Sequence, residues 1–336
     1  MQTLLLTHRE VRRFLPMSEC IEVMEGALRS VSDGTSTLPL RTVVRVDGST
    51  NAFASMPAIH GTGESASIGA KVITVFPGND ATPYDSHIGV VLLFDATYGR
   101  LLAVADASSI TAIRTAAVSG LATRLLSNPE SRELALLGTG VLAMPHLEAV
   151  CAVRPIERVR VWSRSLSRAK EFAAQAKRDA RLEIVVCTSA RDAVRGADVV
   201  CTITGARTPV LEGAWLSPGA HVNAVGASLA SARELDTDAV RMARLYVDRR
   251  ESTLAEAGDF LIPRSEDAID DTHILGELGD LIQGTVVGRT GRDQVTLFKS
   301  LGLAVEDVAA LRHVYDRACE EGAGTRIEFG GLRAQE

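Results

Sequence analysis

Six residues near the middle of the chain have the types and spacing to hold a pyrophosphate. Gly138-Thr139-Gly140-Val141-Leu142-Ala143 reads G-x-G-x-x-A, with an apolar run before it and a helical pattern after it. Gly138 permits a tight turn, Gly140 lets backbone approach a phosphate, and Ala143 lets helix and strand pack closely. The first turn of the helix then offers N–H groups and a partial positive charge to an anion. The motif alone is weak. The strand before it, the helix after it and a second strand beyond make a dinucleotide site the reading, with Gly138, Thr139, Gly140 and Val141 as the cofactor-binding turn.

The end of that second strand reports the kind of dinucleotide. An Asp or Glu there would bind the ribose hydroxyls of NAD. This chain has Ser163-Arg164-Ser165, followed by Ser167-Arg168. A guanidinium flanked by hydroxyls suits a 2′-phosphate. NADP(H) is therefore the expected cofactor and NAD(H) the alternative, although a helix-capping serine beside a solvated arginine would give the same letters. Thr202 and Thr204 follow another strand, at the carboxyl edge where open α/β sheets bind dinucleotides. Contact with the cofactor ribose is expected there, against ordinary strand-end capping. Thr115 is a further candidate, for a cofactor phosphate.

These residues need a sheet to carry them. Beyond residue 126, strands over 133–137, 158–162, 183–187, 199–203, 221–225 and 245–247 alternate with helices over 141–152, 166–178 and 190–196. Near-continuous Val/Ile/Leu strands separated by helices predict a parallel sheet covered on both faces. The fold class is α/β, with a Rossmann-type nucleotide domain over 127–302. The first third is α+β: a helix over 16–31, strands over 43–46 and 70–75, and a hairpin of 88–94 and 101–104 joined through Tyr98-Gly99. An alanine-rich helix over 109–126 follows. A last helix over 305–321 packs back on this part, giving a second domain of 1–126 with 303–336.

Composition narrows the function classes. The 336 residues are 46% hydrophobic and 23% charged, with a net charge of -6. That is a globular chain of one large or two medium domains. Its acidity disfavours a nucleic-acid partner, which needs a dense basic surface. The five cysteines have no metal spacing and read as reduced, mostly buried thiols. No metal site and no membrane segment are expected, and the chain reads as cytoplasmic. His60 and His87 border loops, where backbone hydrogen bonding or solvent is the expected role. Glu251, Glu256 and Asp259 read as a solvated helix face.

Further segments carry a resemblance. They are Leu38-Pro39-Leu40-Arg41, Ser55-Met56-Pro57-Ala58, Gly69-Ala70-Lys71-Val72, Phe76-Pro77-Gly78-Asn79 and Ile113-Arg114-Thr115-Ala116-Ala117. Beyond the glycine turn come Ala224-Val225-Gly226-Ala227-Ser228, Glu234-Leu235-Asp236 and Phe298-Lys299-Ser300-Leu301-Gly302. In this order, over nearly the whole chain, they resemble the ornithine cyclodeaminase/mu-crystallin family. The resemblance implies a homodimer, with the α+β part as substrate-binding and dimerisation domain. It also implies redox chemistry at a carbon bearing an amino or imino group beside a carboxylate.

By matching motifs, Arg41, Lys71 and Arg114 would bind the substrate carboxylate, and a guanidinium can do so with two parallel hydrogen bonds. Val225 and Gly226 would lie near the nicotinamide. Ser228 stands where cyclodeaminases carry aspartate, and it cannot act as a comparable base at neutral pH. Serine there resembles the mu-crystallin and ketimine reductase branch. Leu142 replaces a glutamine common in the family, weakening one side-chain contact but leaving the backbone cradle. The resulting expectation is NADPH-dependent reduction of a small cyclic ketimine carboxylate, with Lys71 and Ser228 as catalytic candidates. The alternatives are an ornithine or lysine cyclodeaminase with NAD, an alanine or N-alkyl amino-acid dehydrogenase, and a non-catalytic protein binding NADPH and a small ligand.

Overall fold

Residues alternate between buried and open along the strands of the first third, as sheet strands with one covered face require. The computed structural model describes residues 2–176, 182–331 and 333. The N-terminal segment runs β1 (Gln2–Leu6), α1 (His8–Phe14), α2 (Met17–Ser32), β2 (Thr42–Arg45), β3 (Ala52–His60), β4 (Ser67–Val75), β5 (His87–Asp95), β6 (Leu101–Asp106) and α3 (Ala107–Leu126). Next come β7 (Glu133–Leu137), α4 (Ala143–Val153), β8 (Arg158–Trp162), α5 (Leu166–Ala176), β9 (Glu183–Val186), α6 (Ala190–Val194), β10 (Val199–Thr202) and β11 (His221–Ala224). Then follow α7 (Thr237–Met242), β12 (Arg244–Val247), α8 (Arg250–Glu256), α9 (Gly258–Ser265), β13 (Ile274–Glu277), α10 (Leu278–Gln283) and β14 (Thr296–Lys299). The chain closes with α11 (Ala304–Glu320) and β15 (Thr325–Glu328).

Two compact units result, Met1–Arg114 with Leu303–Glu336, and Thr115–Gly302. The second division lies between Gly302 and Leu303. The first lies inside α3 rather than at its C-terminal end. Arg114 is tied to carboxylates of α11 in the first unit, whereas Thr123 accepts a hydrogen bond from Asn223 in the second. Residues 332 and 334–336 of the expected C-terminal portion lie outside the described residues, as do Lys177 and Arg178 of the expected 166–178 helix.

The first unit holds a mixed sheet in the order β15-β1-β6-β5-β4-β3-β2, in which β1 and β6 are parallel. α11 lies across β3, β4 and β5 and against α2. Val91, Leu93, Met56, Met24, Val308 and Leu311 are buried in this unit. Gly69 sets how close α11 comes: a Cβ there would lie 2.7 Å from Val308 Cγ2 and 2.5 Å from the Leu92 carbonyl oxygen. On the opposite side of the sheet, Val44, Phe53, Ile59 and Ile88 are exposed.

The second unit is an eight-stranded sheet, β13-β12-β14-β11-β10-β7-β8-β9, with every recorded pair parallel. Successive residues of β7 serve opposite cores. Leu134 and Leu136 join Leu147 of α4 and Phe172 of α5, while Ala135 and Leu137 join Val194 of α6 and Phe260 of α9. Strand order turns outward in both directions from β7 and β10. That reversal is where doubly wound sheets open a crevice at their carboxyl edge.

The strand of Ala52–His60 escapes sequence reading because it is built from Ala, Ser and Pro57, which are poor strand signals. Its partners decide it: β4 pairs along its full length, and β2 pairs only with Ala52–Ser55, leaving Pro57 beyond β2. β1, β13, β14, β15, α7 and α10 likewise escape sequence reading, while the helix read through Glu251, Glu256 and Asp259 is broken into α8 and α9. Among the described residues no helix is long and apolar enough to cross a membrane.

Candidate functional site

In the first unit β4 turns Lys71 inward, opposite Met56 of β3 and Val91 of β5. Lys71 and Arg114 are 2% and 3% exposed, a depth at which unpaired cations would be very costly. Their partners come from the first turn of α11. Lys71 Nζ lies 2.8 Å from Asp307 Oδ2, and Arg114 donates from Nη1 to Glu306 Oε2 at 2.7 Å and from Nε to Asp307 Oδ1 at 3.0 Å. Gly69, two residues before Lys71, is what allows α11 this close.

Burial dominates the electrostatics. It pulls the Lys71 ammonium down to about 8, with the Asp307 charge opposing the shift. Burial would push the Asp307 carboxyl up, but the charges of Arg114 and Lys71 prevail and hold it below the usual carboxylate range. Burial disfavours the charged form of Arg114, yet Asp307 and Glu306 outweigh it. Arg41 is half-buried, and its charge bears on both Lys71 and His87. The three cations expected from the sequence thus form one electrostatic group, and two of them share Asp307. Glu306 and Asp307 were not anticipated. Their signal was two adjacent acids inside the apolar Ala304–Leu311 stretch.

In the second unit Gly138 has φ +119°, and a Cβ there would lie 2.7 Å from the Ile203 carbonyl oxygen. Only glycine fits where the β7 turn passes the end of β10. Gly140 is the opposite case: a Cβ there would meet nothing within 4 Å, so open space faces the backbone. α4 begins with no side-chain cap, and Val141 at the turn is 68% exposed. Backbone amides with open space before them are what a pyrophosphate requires. Ser163 is half-buried and Arg164 exposed at the end of β8. Ser165 Oγ accepts from the Arg168 amide at 3.4 Å and lies 2.9 Å from Ser167 Oγ, a helix-capping arrangement. No carboxylate occurs between Ser163 and Arg168. These residues fit a dinucleotide.

Thr202 and Thr204 stand at the expected carboxyl edge, but their hydroxyl protons go to a buried carboxylate. Thr202 Oγ1 donates to Glu234 Oε2 at 2.8 Å, and Thr204 Oγ1 to Glu234 Oε1 at 2.7 Å. Burial and the Asp259 charge raise the Glu234 pKa, against the Thr204 hydrogen bonds and Lys299. Val225 is buried, while Gly226 and Ser228 are half-buried in the loop leaving β11. Thr115 is buried in α3.

Two readings of lesser residues are corrected. Asp259 is not on a solvated face: it is 2% exposed and paired with Lys299 Nζ at 2.9 Å. A short helix beginning at Gly258 turns it inward. His60 bonds through Nδ1 to the hydroxyls of Ser30 and Ser36, at 3.1 and 3.2 Å, rather than to backbone or solvent. Among the described residues no group of His, Cys, Asp or Glu could hold a metal, and none of the five cysteines is in a disulfide.

Comparison with known proteins agrees with this geometry. A mouse ketimine reductase mu-crystallin is 43% identical over 315 residues, 93% of this chain and 96% of the relative. A Thermococcus litoralis Delta(1)-pyrroline-2-carboxylate reductase, solved in complex with NADH and L-proline, superposes with a TM-score of 0.93 at 37% identity, covering 96% of this chain and 99% of its own. An archaeal alanine dehydrogenase dimer with bound NAD superposes with a TM-score of 0.91 at 30% identity, covering 98% and 100%. The model of one family matches residues 1–322. With buried cations on one unit and a dinucleotide turn on the other, the chain belongs to the ornithine cyclodeaminase/mu-crystallin family.

Proposed function

We propose that this protein reduces a cyclic ketimine carboxylate, pyrroline-2-carboxylate or piperideine-2-carboxylate, to the cyclic amino acid with NADPH. The observation that carries the reading is the buried Lys71–Asp307–Arg114 group, which fixes two cations in the first unit where the Arg41 charge is also felt. A bound nicotinamide dinucleotide supplies the hydride. Arg41, Lys71 and Arg114 bind the carboxylate and so orient the carbon beside it. Lys71 holds a proton on Nζ that burial has loosened to about 8, close enough to neutrality for proton exchange. Ser228, with no carboxylate, argues against release of ammonia from a diamine.

Gly138, Thr139, Gly140 and Val141 would hold the pyrophosphate, Thr115 a phosphate, and Val225 and Gly226 the nicotinamide end. Thr202 and Thr204 contribute to that edge chiefly through backbone. Ser163, Arg164 and Ser165 favour the 2′-phosphate of NADPH over the bare ribose of NADH. Incubation with each ketimine and either reduced cofactor, followed by cofactor absorbance, tests the whole reading. Turnover with a lower KM for NADPH is expected, and Lys71→Ala should abolish it. No turnover of either ketimine at any pH overturns the substrate, and a clear preference for NADH overturns the cofactor.

A second copy of this chain is the proposed partner. Val44, Phe53, Ile59 and Ile88 leave one side of the first sheet apolar and open, and apolar faces of this kind mark association surfaces. The pairing of Val44 with Phe53 places the two side by side on adjacent strands. Replacing both by glutamate should convert a dimer to monomer in sedimentation. An unchanged sedimentation coefficient would place the interface elsewhere.

A further inference from the structure

The segment Glu234-Leu235-Asp236 is part of the family resemblance, yet neither the carboxylate site nor the dinucleotide turn uses it. The structure assigns it a role. Glu234 is 0% exposed and receives four donors. On Oε1 they are the Thr204 amide at 2.6 Å and the Thr204 hydroxyl at 2.7 Å. On Oε2 they are the Thr202 hydroxyl at 2.8 Å and the Gly226 amide at 2.7 Å. One carboxylate therefore ties the loop leaving β10 to the loop leaving β11.

Glu234 is itself fixed from behind. The Glu234 and Leu235 amides donate to Asp259 Oδ1 at 2.8 and 3.0 Å. The other oxygen of Asp259 is 2.9 Å from Lys299 Nζ, which also donates to the Ala227 carbonyl, one residue past Gly226. Backbone contact closes the arrangement. A Cβ on Gly226 would lie 2.1 Å from the Thr204 carbonyl oxygen and 2.6 Å from Glu234 Oε1. A Cβ on Gly258 would lie 2.1 Å from the Ala232 carbonyl oxygen. Both glycines are where they are because these strands of chain touch.

We propose that Glu234 is a positioning residue for hydride transfer, holding the Thr202–Thr204 and Gly226 backbones in the one spacing that receives the nicotinamide end of the dinucleotide. This rests on the proposed dinucleotide reading, and it goes beyond it by separating the two ends of the crevice. The Gly138–Val141 turn holds the pyrophosphate, and Glu234 with Asp259 and Lys299 sets the edge where reaction occurs. Glutamine cannot replace it, because its NH2 would face donors where Glu offers an acceptor.

The test is binding to the intact protein without ketimine. NADPH is compared with ADP-ribose 2′-phosphate, and NADH with ADP-ribose; each shorter probe lacks only the nicotinamide ring. Glu234→Gln should weaken the nicotinamide-bearing ligands about tenfold, the size of one charge-assisted hydrogen bond, and leave the shorter ones unchanged. Equal loss for both members of a pair, or no loss, overturns the proposal, since a general folding defect would act on both. If Glu234→Gln does not fold, Thr204→Val removes a single donor and should give a smaller loss of the same selectivity, with Thr204→Ser restoring it. A wild-type chain that binds NADPH but reduces no ketimine would end the substrate reading while leaving this one to be judged on binding.

Discussion

Lys71 sits at the edge of ionisation because burial opposes its charge and only Asp307 directly repays it. The sign of the pH effect follows. In the proposed site the charged ammonium is what binds the substrate carboxylate, and it is lost as pH rises through about 8. The KM for ketimine should therefore climb above that pH while the KM for NADPH stays level. Lys71→Arg, which keeps its charge, should flatten the climb. Asp307→Asn removes the attraction favouring the charged form and should move the break to lower pH. KM profiles for the three proteins check this, and a wild-type profile level across pH 8 would refute it. The same residues show what a sequence reveals at this scale. Gly138 and Gly140 are legible because phosphate chemistry demands those types at that spacing. Glu306 and Asp307 are not, since two acids opening a helix look like ordinary complements of its dipole. Only the fold shows that they neutralise cations set far away in the chain.

At the scale of elements, the placement of one helix decides whether the cation group exists. α11 reaches β4 only because Gly69 has no side chain: an added methyl would meet the Leu92 carbonyl oxygen at 2.5 Å and Val308 at 2.7 Å. Gly69→Ala should cost about 1–3 kcal/mol of stability, the usual penalty of overpacking. It should also raise the KM for ketimine by displacing Glu306 and Asp307. Urea unfolding and steady-state kinetics measure the two effects, and wild-type values for both would mean that the helix yields freely. Six of the eight parallel-sheet strands were legible in the sequence to within a residue or so, because each is a largely apolar run; β13 and β14 were not. β3 was not, because pairing rather than propensity makes it a strand. The helices α7 and α10 were missed for a related reason: each has only six residues. Short helices such as these owe their stability to tertiary packing.

For the whole molecule, two histidines of the second unit govern behaviour in acid. Burial lowers His146 to about 4 and His221 to about 3. Below about pH 6.5 an unfolded chain takes up protons at both, whereas the folded chain refuses them until the pH approaches those lower values. Stability therefore falls as pH drops through that window, by on the order of 1.4 kcal/mol per pH unit for each histidine. Urea midpoints at descending pH should show this slope, and His146→Gln should reduce it. A slope unchanged by that substitution would place the acid sensitivity elsewhere.

The division of the chain has a consequence in time. The second unit is one unbroken stretch, Thr115–Gly302, whereas the first is interrupted by all of it. During synthesis the nucleotide-binding sheet is complete before Glu306 and Asp307 have been made, and contiguous units fold as they emerge. Until then Lys71 and Arg114 have no carboxylates to bury against, and the first sheet has no α11 to cover it. On the proposed reading the carboxylate site matures only once α11 has been made, so a transcript interrupted shortly before that helix would yield the second unit without a completed site for the substrate.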